Sequence, residues 1–304
     1  MTAGDRRPKV DETTPSAISD NLRGAAWMVG AIASFTSMAV AGRAVSFQLD
    51  TFEIMLYRSC VGIVIVLAVG LVTGGLRTVT TRNLPLQTLR NLAHFTGQNL
   101  WFLAITLAPL AQVFALEFTS PLWVLLLAPL ILGERVRPIQ YAVAAIGFGG
   151  VLIVAQPFSG NLSVGLIWAG LAAFFFALTN LLTRKLTRNE TVIGILFWLT
   201  VLQLVFGILC AGIDGDIAVP DATTAPWLIL IGLAGLCAHW CLTNALTLAP
   251  ASVVMPVDFL RLPLIAVIGA LAYNEALDPW VLLGGAVVFG AAWANLSLTA
   301  RRPA

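Results

Sequence analysis

Charged side chains are scarce in this sequence. Aspartate, glutamate, lysine and arginine make up 11% of the 304 residues, whereas 59% of the residues are hydrophobic. Soluble globular proteins have about 25% charged and about 45–50% apolar residues, so this composition excludes an ordinary soluble domain. The net charge is +2 and the only lysines are Lys9 and Lys185, so no basic cluster is long enough to bind nucleic acid.

Cysteine is also scarce, and the four cysteines all lie in apolar stretches. Cys237 and Cys241 share a helix face, but no histidine or acid joins them at the spacing of metal ligands. The glycine-rich segment 147–150 lacks the lysine of a phosphate-binding loop. We therefore expect no disulfide framework, no metal, no cofactor and no ATP coupling within the chain.

Long apolar runs dominate what remains. A membrane-spanning helix needs about 20 mostly apolar residues, and barrel strands are about half that length. Because unpaired backbone is too costly in lipid, these runs predict an all-α integral membrane protein. The ten predicted transmembrane helices are 22–42, 52–73, 88–107, 111–132, 138–156, 163–183, 191–212, 225–246, 252–273 and 279–298.

Basic residues are distributed unevenly between the connecting segments. If the N-terminus is cytoplasmic, 14 of the 17 basic residues fall in or beside cytoplasmic segments, and only Arg43 falls outside. The connection 212–225 carries three aspartates and no basic residue, as an external loop should. This asymmetry predicts an inner-membrane protein with both termini in the cytoplasm. Residues 1–21 read as a disordered cytoplasmic tail, and 301–304 as a short cytoplasmic tail.

The two halves of the chain resemble each other at one constant offset. Residues 104–109 fall on 245–250, Glu117 falls on Asp258, and matched tryptophans, prolines and arginines recur at the same offset. Each half has five predicted spans, so the halves should insert with opposite topology. The predicted five-helix repeats are 22–157 and 158–300.

Several motifs carry a family resemblance. They are the segments 56–62 (Leu-Tyr-Arg-Ser-Cys-Val-Gly), 107–109 (Leu-Ala-Pro), 120–123 (Ser-Pro-Leu-Trp) and 132–135 (Leu-Gly-Glu-Arg). Together with the repeat, they resemble the drug/metabolite transporter superfamily in its ten-helix branch with two EamA-type repeats. The resemblance implies a transporter, and it is nearest to bacterial exporters of amino acids, including aromatic ones. Relatives that carry sugars, nucleotide-like metabolites or drugs keep the substrate class open.

The second half departs from the family pattern at two places. Asn274 and Glu275 replace the Gly-Glu pair, and no arginine stands at 197 or 198 to match Arg58. Arg58 therefore has no symmetric counterpart, which argues against a mechanism that treats the halves as equivalent there.

Ionisable residues inside the spans are the first candidates for function, because each costs about 2.5–3.5 kcal/mol on insertion scales. Glu117 and Asp258 occupy equivalent positions and should face one central cavity, where a carboxylate can hold a substrate ammonium group or a proton. Arg58 is the expected long-range partner of Glu117. Arg261 stands three residues after Asp258, so an ion pair of purely structural value is the alternative there.

A polar and aromatic helix face supplies the other candidates. His94, Gln98 and Trp101 share one face of the third helix, and Gln98 corresponds to His239 in the repeat. Asn180 on the sixth helix joins this set. Such a face suits a cavity for a zwitterion with an apolar side chain, although hydrogen bonding between helices is the alternative.

The sequence thus predicts a monomeric secondary transporter that works by alternating access, with a small-molecule substrate and the lipid bilayer as its partners. An integral-membrane enzyme or a scaffold is the alternative. The acids are scattered singly, which does not favour an enzyme with a metal or a nucleophile–base pair.

Overall fold

The computed structural model describes residues 15–133, 138–155, 163–187, 189–213, 216–248, 257–258, 260–276 and 278–300. The regular structure in these ranges is helical, without strands, which confirms the all-α prediction for them. A 3₁₀ turn covers Gly75–Thr78. The helices are α1 Pro15–Val45, α2 Thr51–Val72, α3 Leu84–Leu107, α4 Leu110–Glu117, α5 Ser120–Leu132, α6 Pro138–Ala155, α7 Val164–Leu186, α8 Val192–Ala211, α9 Ala225–Leu248, α10 Arg261–Tyr273 and α11 Pro279–Ala300.

Apolar length identifies the membrane-crossing elements. Among the described residues, six stretches are long and apolar enough to cross a membrane: those in α1, α2, α7, α8 and α9, and the Leu110–Leu132 stretch formed by α4 and α5. Shorter apolar helices lie in α6, α10 and α11. Helix α3 is long enough, but buried polar side chains reduce its apolarity. The count of ten spans stays a prediction.

The helix bounds follow the repeat offset. Helices α3 and α9 begin and end at equivalent positions of the two halves, and so do α5 and α10. Helices α2 and α8 begin at equivalent positions, and so do α6 and α11. Equivalent residues of the two halves therefore lie at equivalent points along their helices.

The first helix begins earlier than expected. Helix α1 starts at Pro15, so 15–21 of the predicted tail are helical, and residues 1–14 lie outside the described residues. The predicted tail 301–304 and the Glu-Arg pair of the motif 132–135 lie outside them as well. Arg23 and Asp20 form an ion pair of 3.6 Å one turn apart, on exposed side chains. Hydropathy does not show this polar helical turn, because it locates only the apolar part of a helix.

A break interrupts the fourth predicted span. Helix α4 ends at Glu117 and α5 begins at Ser120, with a turn between them. Pro121 lies in the first turn of α5, where its missing N–H costs nothing, whereas it could not have continued the α4 ladder. The hydroxyl of Thr119 donates to the carbonyl of Leu116 at 2.7 Å, which satisfies one carbonyl at the break. The break leaves Glu117 at a helix end inside the apolar stretch.

Asp221 orders the loop segment just before α9 through its hydrogen bonds. The carboxylate of Asp221 accepts hydrogen bonds from the Thr223 hydroxyl and from the backbone and hydroxyl of Thr224. These bonds favour the ionised form and lower the pKa of Asp221 to about 2.

The two halves pack against each other throughout. Helix α1 lies along α9, α2 along α8, α3 along α7, and α6 along α11, and each pair joins one half to the other. At the α6–α11 crossing, a Cβ placed on Gly150 would lie 2.8 Å from the carbonyl oxygen of Gly284, so the backbones touch. Side chains at the middle of these helices therefore meet at the interface between the halves.

Candidate functional site

Arg261 bridges two carboxylates at the interface between the halves. Its Nη2 atom lies 3.0 Å from Oε1 of Glu117 and 2.9 Å from Oδ2 of Asp258. The Arg261 side chain is 5% exposed, and those of both acids are 14% exposed. We call Glu117, Asp258 and Arg261 the acid–arginine cluster. It forms because α4 ends at Glu117 while α10 begins at Arg261 and packs against α4.

Aromatic rings surround the cluster. The guanidinium carbon of Arg261 lies 4.9 Å from the ring centre of Phe35, 5.0 Å from that of Phe114 and 5.3 Å from that of Phe118. The indole N–H of Trp101 donates to Oε2 of Glu117 at 2.7 Å. Ring faces attract a desolvated cation, so these contacts help to hold Arg261 away from water.

The acid–arginine cluster has an uncompensated charge and, in the described part of the chain, polar atoms without partners. With both carboxylates ionised it carries a net charge of −1, and among the described residues Oδ1 of Asp258 and Nε of Arg261 have no hydrogen-bond partner. A substrate cation or a proton could compensate that charge, and a substrate donor could reach the free oxygen. The indole of Trp101 thus joins the cluster through Glu117.

Two histidines lie beside this cluster. The rings of His94 on α3 and His239 on α9 are 5.5 Å apart at their centres. Phe35 lies 5.8 Å from His239 and also covers Arg261, so one ring links the histidines to the acid–arginine cluster. Gln98, one turn from His94, is 3% exposed. The structure thus brings six of the predicted residues into one layer at the interface: His94, Trp101, Glu117, His239, Asp258 and Arg261.

Asn180 behaves differently from the other predicted residues. Its side chain is exposed, whereas Phe176 one turn earlier is partly buried and lies 6.2 Å from the ring of His94. On α7, the ring of Phe176 therefore reaches the layer, and the amide of Asn180 does not.

The expected pairing of Arg58 with Glu117 is wrong. Helix α2 packs against α8 and α9, away from α4, so the guanidinium of Arg58 lies against Gly235 of α9. The carboxylate of Glu117 is bonded to Arg261 instead. Arg261 also bonds Asp258, so the ion pair named as the alternative for Asp258 is present, and a substrate-binding role for this acid stays a prediction.

Arg90 is a buried residue that sequence reasoning missed. Charge placement puts it in a cytoplasmic segment, but on α3 it is 3% exposed. Its Nε donates to the hydroxyl of Thr183 at 3.0 Å and its Nη1 to Oδ1 of Asn91 at 3.0 Å. The sequence does indicate this burial, because Arg90 stands one turn before His94 on the same helix face. Hydropathy does not reveal it, since polar residues hide where this helix begins.

A second ion pair ties three helices together at one end of the molecule. Nη1 of Arg43 donates to Oε1 of Glu275 and, at 3.3 Å, to the carbonyl of Ala108. The other carboxylate oxygen of Glu275 accepts the backbone N–H of Leu110 at 2.9 Å. The end of α1, the start of α4 and the end of α10 are therefore joined through Glu275, a contact that spacing alone did not predict.

The four cysteines are free thiols. The sulfur atoms of Cys237 and Cys241 are 3.9 Å apart, too far for a disulfide bond. Within the described ranges, no three His, Cys, Asp or Glu side chains gather closely enough to hold a metal ion.

An apolar cavity of about 240 Å³ lies between α2, α8 and α9. Val66, Leu196, Leu236 and Trp240 are among its lining residues, and Cys237 is the one ionisable residue among the described residues that line it. The cavity therefore suits hydrocarbon, while the charged chemistry lies in the layer described above.

Known proteins match this architecture. The model of the EamA-like transporter family matches residues 22–156 and 163–297. A solved crystal structure resembles the chain with a TM-score of 0.66 at 19% identity, covering 94% of this chain and 98% of that one, which is a likeness of fold.

Three relatives are informative. A riboflavin transporter of Rhizobium johnstonii is 35% identical over 64% of this chain, and the match spans 64% of that protein, just under two thirds. A riboflavin transporter of Vibrio cholerae is 29% identical over 88% of this chain and 90% of its own. An S-adenosylmethionine uptake transporter of Rickettsia bellii is 24% identical over 88% and 91%.

These findings confirm the superfamily but not the preference for amino-acid exporters, because these three relatives are named for riboflavin and S-adenosylmethionine. The six long apolar helices and the bacterial relatives agree on location. The chain belongs to the EamA-like transporter family and is a multi-pass protein of the inner membrane.

Proposed function

We propose that this protein is a secondary transporter that moves a metabolite with a nitrogen heterocycle, with riboflavin as the first substrate to test. The relatives named for riboflavin and S-adenosylmethionine support this class, since both compounds contain such a ring. The rings of Phe35, Trp101, Phe176 and the two histidines offer stacking partners for a planar heterocycle.

One observation carries the proposal. Three charged side chains meet at the interface between the halves, inside helices that are otherwise apolar. Charges in the membrane interior are expensive, and they are usually found where a substrate or ion passes. One oxygen of Asp258 has no partner among the described residues, so the cluster is poised to bind more than its own arginine.

We assign roles to the site residues accordingly. His94, Gln98, Trp101 and His239 contact the substrate, and Asn180 lies at the edge of the site. Glu117 and Asp258 take up a proton or a cationic group, while Arg261 positions both carboxylates. Arg58 acts apart from this cluster.

The transport cycle we propose is alternating access between two inverted five-helix repeats, 22–157 and 158–300, which form ten spans with both termini cytoplasmic. The matching helix bounds of the two halves support it. A green fluorescent protein fused after Ala304 should be fluorescent, because it matures only in the cytoplasm. A dark but membrane-inserted fusion would contradict this topology.

The substrate is tested by flux into and out of reconstituted vesicles, since one relative is named for uptake while sequence resemblance favoured export. We expect flux of riboflavin in the wild type. Tryptophan is included because the sequence resembles aromatic amino-acid exporters. If riboflavin is not transported while tryptophan is, the heterocycle proposal is wrong and amino-acid transport replaces it.

The role of the cluster is tested in the same vesicles by Glu117→Gln. This variant removes one negative charge while keeping the size of the side chain, so it should lower riboflavin flux at least about tenfold, which corresponds to about 1.4 kcal/mol. The control is Glu190→Gln, in a loop where Glu190 accepts hydrogen bonds from Thr80 and Asn83. Equal flux in Glu117→Gln and the control would remove Glu117 from the mechanism.

A further inference from the structure

Two arginines are buried in the helices without an acidic partner among the described residues. Arg58 is 8% exposed and Arg90 is 3% exposed. In the described part of the chain, no carboxylate lies within ion-pair distance of either. The acids of the interface are already engaged, Glu117 and Asp258 by Arg261 and Glu275 by Arg43.

The guanidinium group of Arg58 packs against a glycine and has little polar contact. Its polar contact in the described part of the chain is with the sulfur of Met55, at 3.6 Å. Its Nε would lie 2.9 Å from a Cβ on Gly235, so the guanidinium occupies space that only glycine leaves open. Gly235 corresponds at the repeat offset to His94. The second half thus has a glycine where the first half has a histidine, and the guanidinium of Arg58 fills the space.

The guanidinium group of Arg90 is only partly hydrogen-bonded. Thr183 and Asn91 accept from Nε and Nη1, so Nη2 has no partner among the described residues. Gln203 donates to the carbonyl of Asn91 at 2.9 Å, while its own Oε1 is unpaired within the described part of the chain. Neutral groups hold the arginine in place, but none of them neutralises it.

The two histidines complete the group. Neither ring nitrogen of His94 has a hydrogen-bond partner among the described residues, although the ring is 3% exposed. Arg90 stands one turn before His94 on α3, and Arg58 lies against Gly235, which stands one turn before His239 on α9. We call these four residues the basic chamber. Its members come from α2, α3 and α9, across both halves.

Without a bound anion, the charges of the basic chamber destabilise the fold. Two buried cations that flank the same pair of histidines repel each other, and a buried charge without a partner is strongly destabilising. A planar guanidinium with free donors matches the oxygens of a carboxylate or a phosphate, and such bonds are about twice as strong as neutral ones. An anion bound in the chamber would therefore offset the buried positive charge and accept hydrogen bonds from a guanidinium group.

We propose that the basic chamber binds an anionic oxygen group, a carboxylate or a phosphate, on the transported metabolite. This inference rests on the proposed function and extends it: the substrate class becomes a heterocycle with an anionic group. The ring lies near Phe35 and Phe176, the anionic group lies between the arginines, and the acid–arginine cluster lies on the other side of Phe35.

Matched ligand pairs test the charge requirement. The thermal unfolding midpoint of the purified full-length protein in lipid nanodiscs is measured with riboflavin against riboflavin 5′-phosphate, and with nicotinamide against nicotinate. Each pair shares its ring and differs in the anionic group. The first pair tests phosphate and the second tests carboxylate. We expect at least one anionic member to bind about tenfold more tightly than its neutral partner.

Variants test whether the chamber provides this preference. Arg58→Met should abolish it and should also raise the unfolding midpoint of the ligand-free protein, because an uncompensated charge is removed. A purely structural Arg58 would give the opposite sign. Arg58→Lys keeps the charge without the planar fork and should keep part of the preference. The control is Arg77→Met, at an exposed arginine of the 3₁₀ turn, which should behave as the wild type.

A second variant tests the same contact in case Arg58→Met does not fold. Gly235→Ala leaves both arginines in the chain but displaces the guanidinium of Arg58, so it should weaken binding of the anionic ligand and leave binding of the neutral one unchanged. Arg90→Met should remove the preference as well.

The outcomes separate this inference from the proposed function. Equal binding of both members of each pair, or no binding by either anionic member, overturns the basic chamber even if riboflavin is transported. Persistence of the preference in both Arg58→Met and Arg90→Met also overturns it. Binding of nicotinate that depends on Arg58, without any riboflavin flux, supports the chamber and refutes only the proposed substrate.

Discussion

Arg261 decides the chemistry of the interface at the scale of single residues. It stands where the first half has Ser120, at the same offset that places Asp258 on Glu117. One guanidinium therefore serves the carboxylates of both halves, Glu117 and Asp258, which the repeat alone would have left facing each other. The asymmetry makes the site an ion triad rather than a pair of acids.

Removing the central cation should be the most damaging change in the cluster. Arg261→Met leaves two carboxylates buried among aromatic rings, and breaking a buried ion pair costs about 3–5 kcal/mol. We expect a loss of this size in the free energy of unfolding, measured by chemical denaturation in detergent micelles.

Asp258→Asn is the comparison for that measurement. It removes one acid but leaves Arg261 paired with Glu117 at 3.0 Å, so its cost should be clearly smaller. If the two variants lose the same stability, the bridge does not act as a unit.

At the scale of elements, close backbone contact at α6 and α11 fixes how the last helices of the two halves pack. Gly150 touches Gly284, whereas the adjacent Gly149 has only open space within 4 Å of the point where a Cβ would lie. The structure therefore places Gly150, and not Gly149, at the helix crossing. The spacing shows small residues, but the rotation of the helix decides which one faces a neighbour.

Neighbouring glycines offer a matched test. Gly150→Val places atoms about 2.8 Å from the backbone of Gly284, which cannot move aside as a side chain can. Overpacking of this kind typically costs about 1–3 kcal/mol, so the unfolding midpoint should fall. Gly149→Val should leave it unchanged. A similar loss in both variants would show that helix propensity, rather than the crossing, accounts for the effect.

At the scale of the whole molecule, the halves are joined at one end by Glu275. It holds Arg43 of α1 and the start of α4 together, and in the proposed topology this end faces outward. We expect this contact to close the space between the helix ends on that side. Alternating access requires such a contact to open during the cycle.

Loosening this contact should expose the helix ends. In a background without the four native cysteines, Ala108→Cys introduces a thiol at a position that is 3% exposed. We expect an impermeant maleimide to label it faster when Glu275→Gln is added, because Arg43 then loses its ion pair. Leu107→Cys, at a position 49% exposed, should be labelled equally in both backgrounds. Unchanged protection of Ala108→Cys would show that Glu275 does not close this end.

Much of this architecture could be read from the chain alone. Apolar length predicts helices, and the repeat offset relates the bounds of α3 to those of α9 and the bounds of α5 to those of α10. The ionisable residues of the interface could also be named in advance, because a charge in an apolar run is conspicuous wherever the helix turns. Hydrophobic pattern and local composition are sufficient for such features, since each depends on residues close together in sequence.

Pairing was decided only by the tertiary structure. Glu117 and Arg261 are far apart in the sequence, and their bond depends on how α4 and α10 are packed and rotated. Sequence reasoning gives Arg58 the wrong partner and Arg90 the wrong environment for the same reason. No local pattern states which face of one helix meets which face of another. Composition determined that this chain would place charges in a membrane, and helix packing determined which of them are paired and which lack an acidic partner among the described residues.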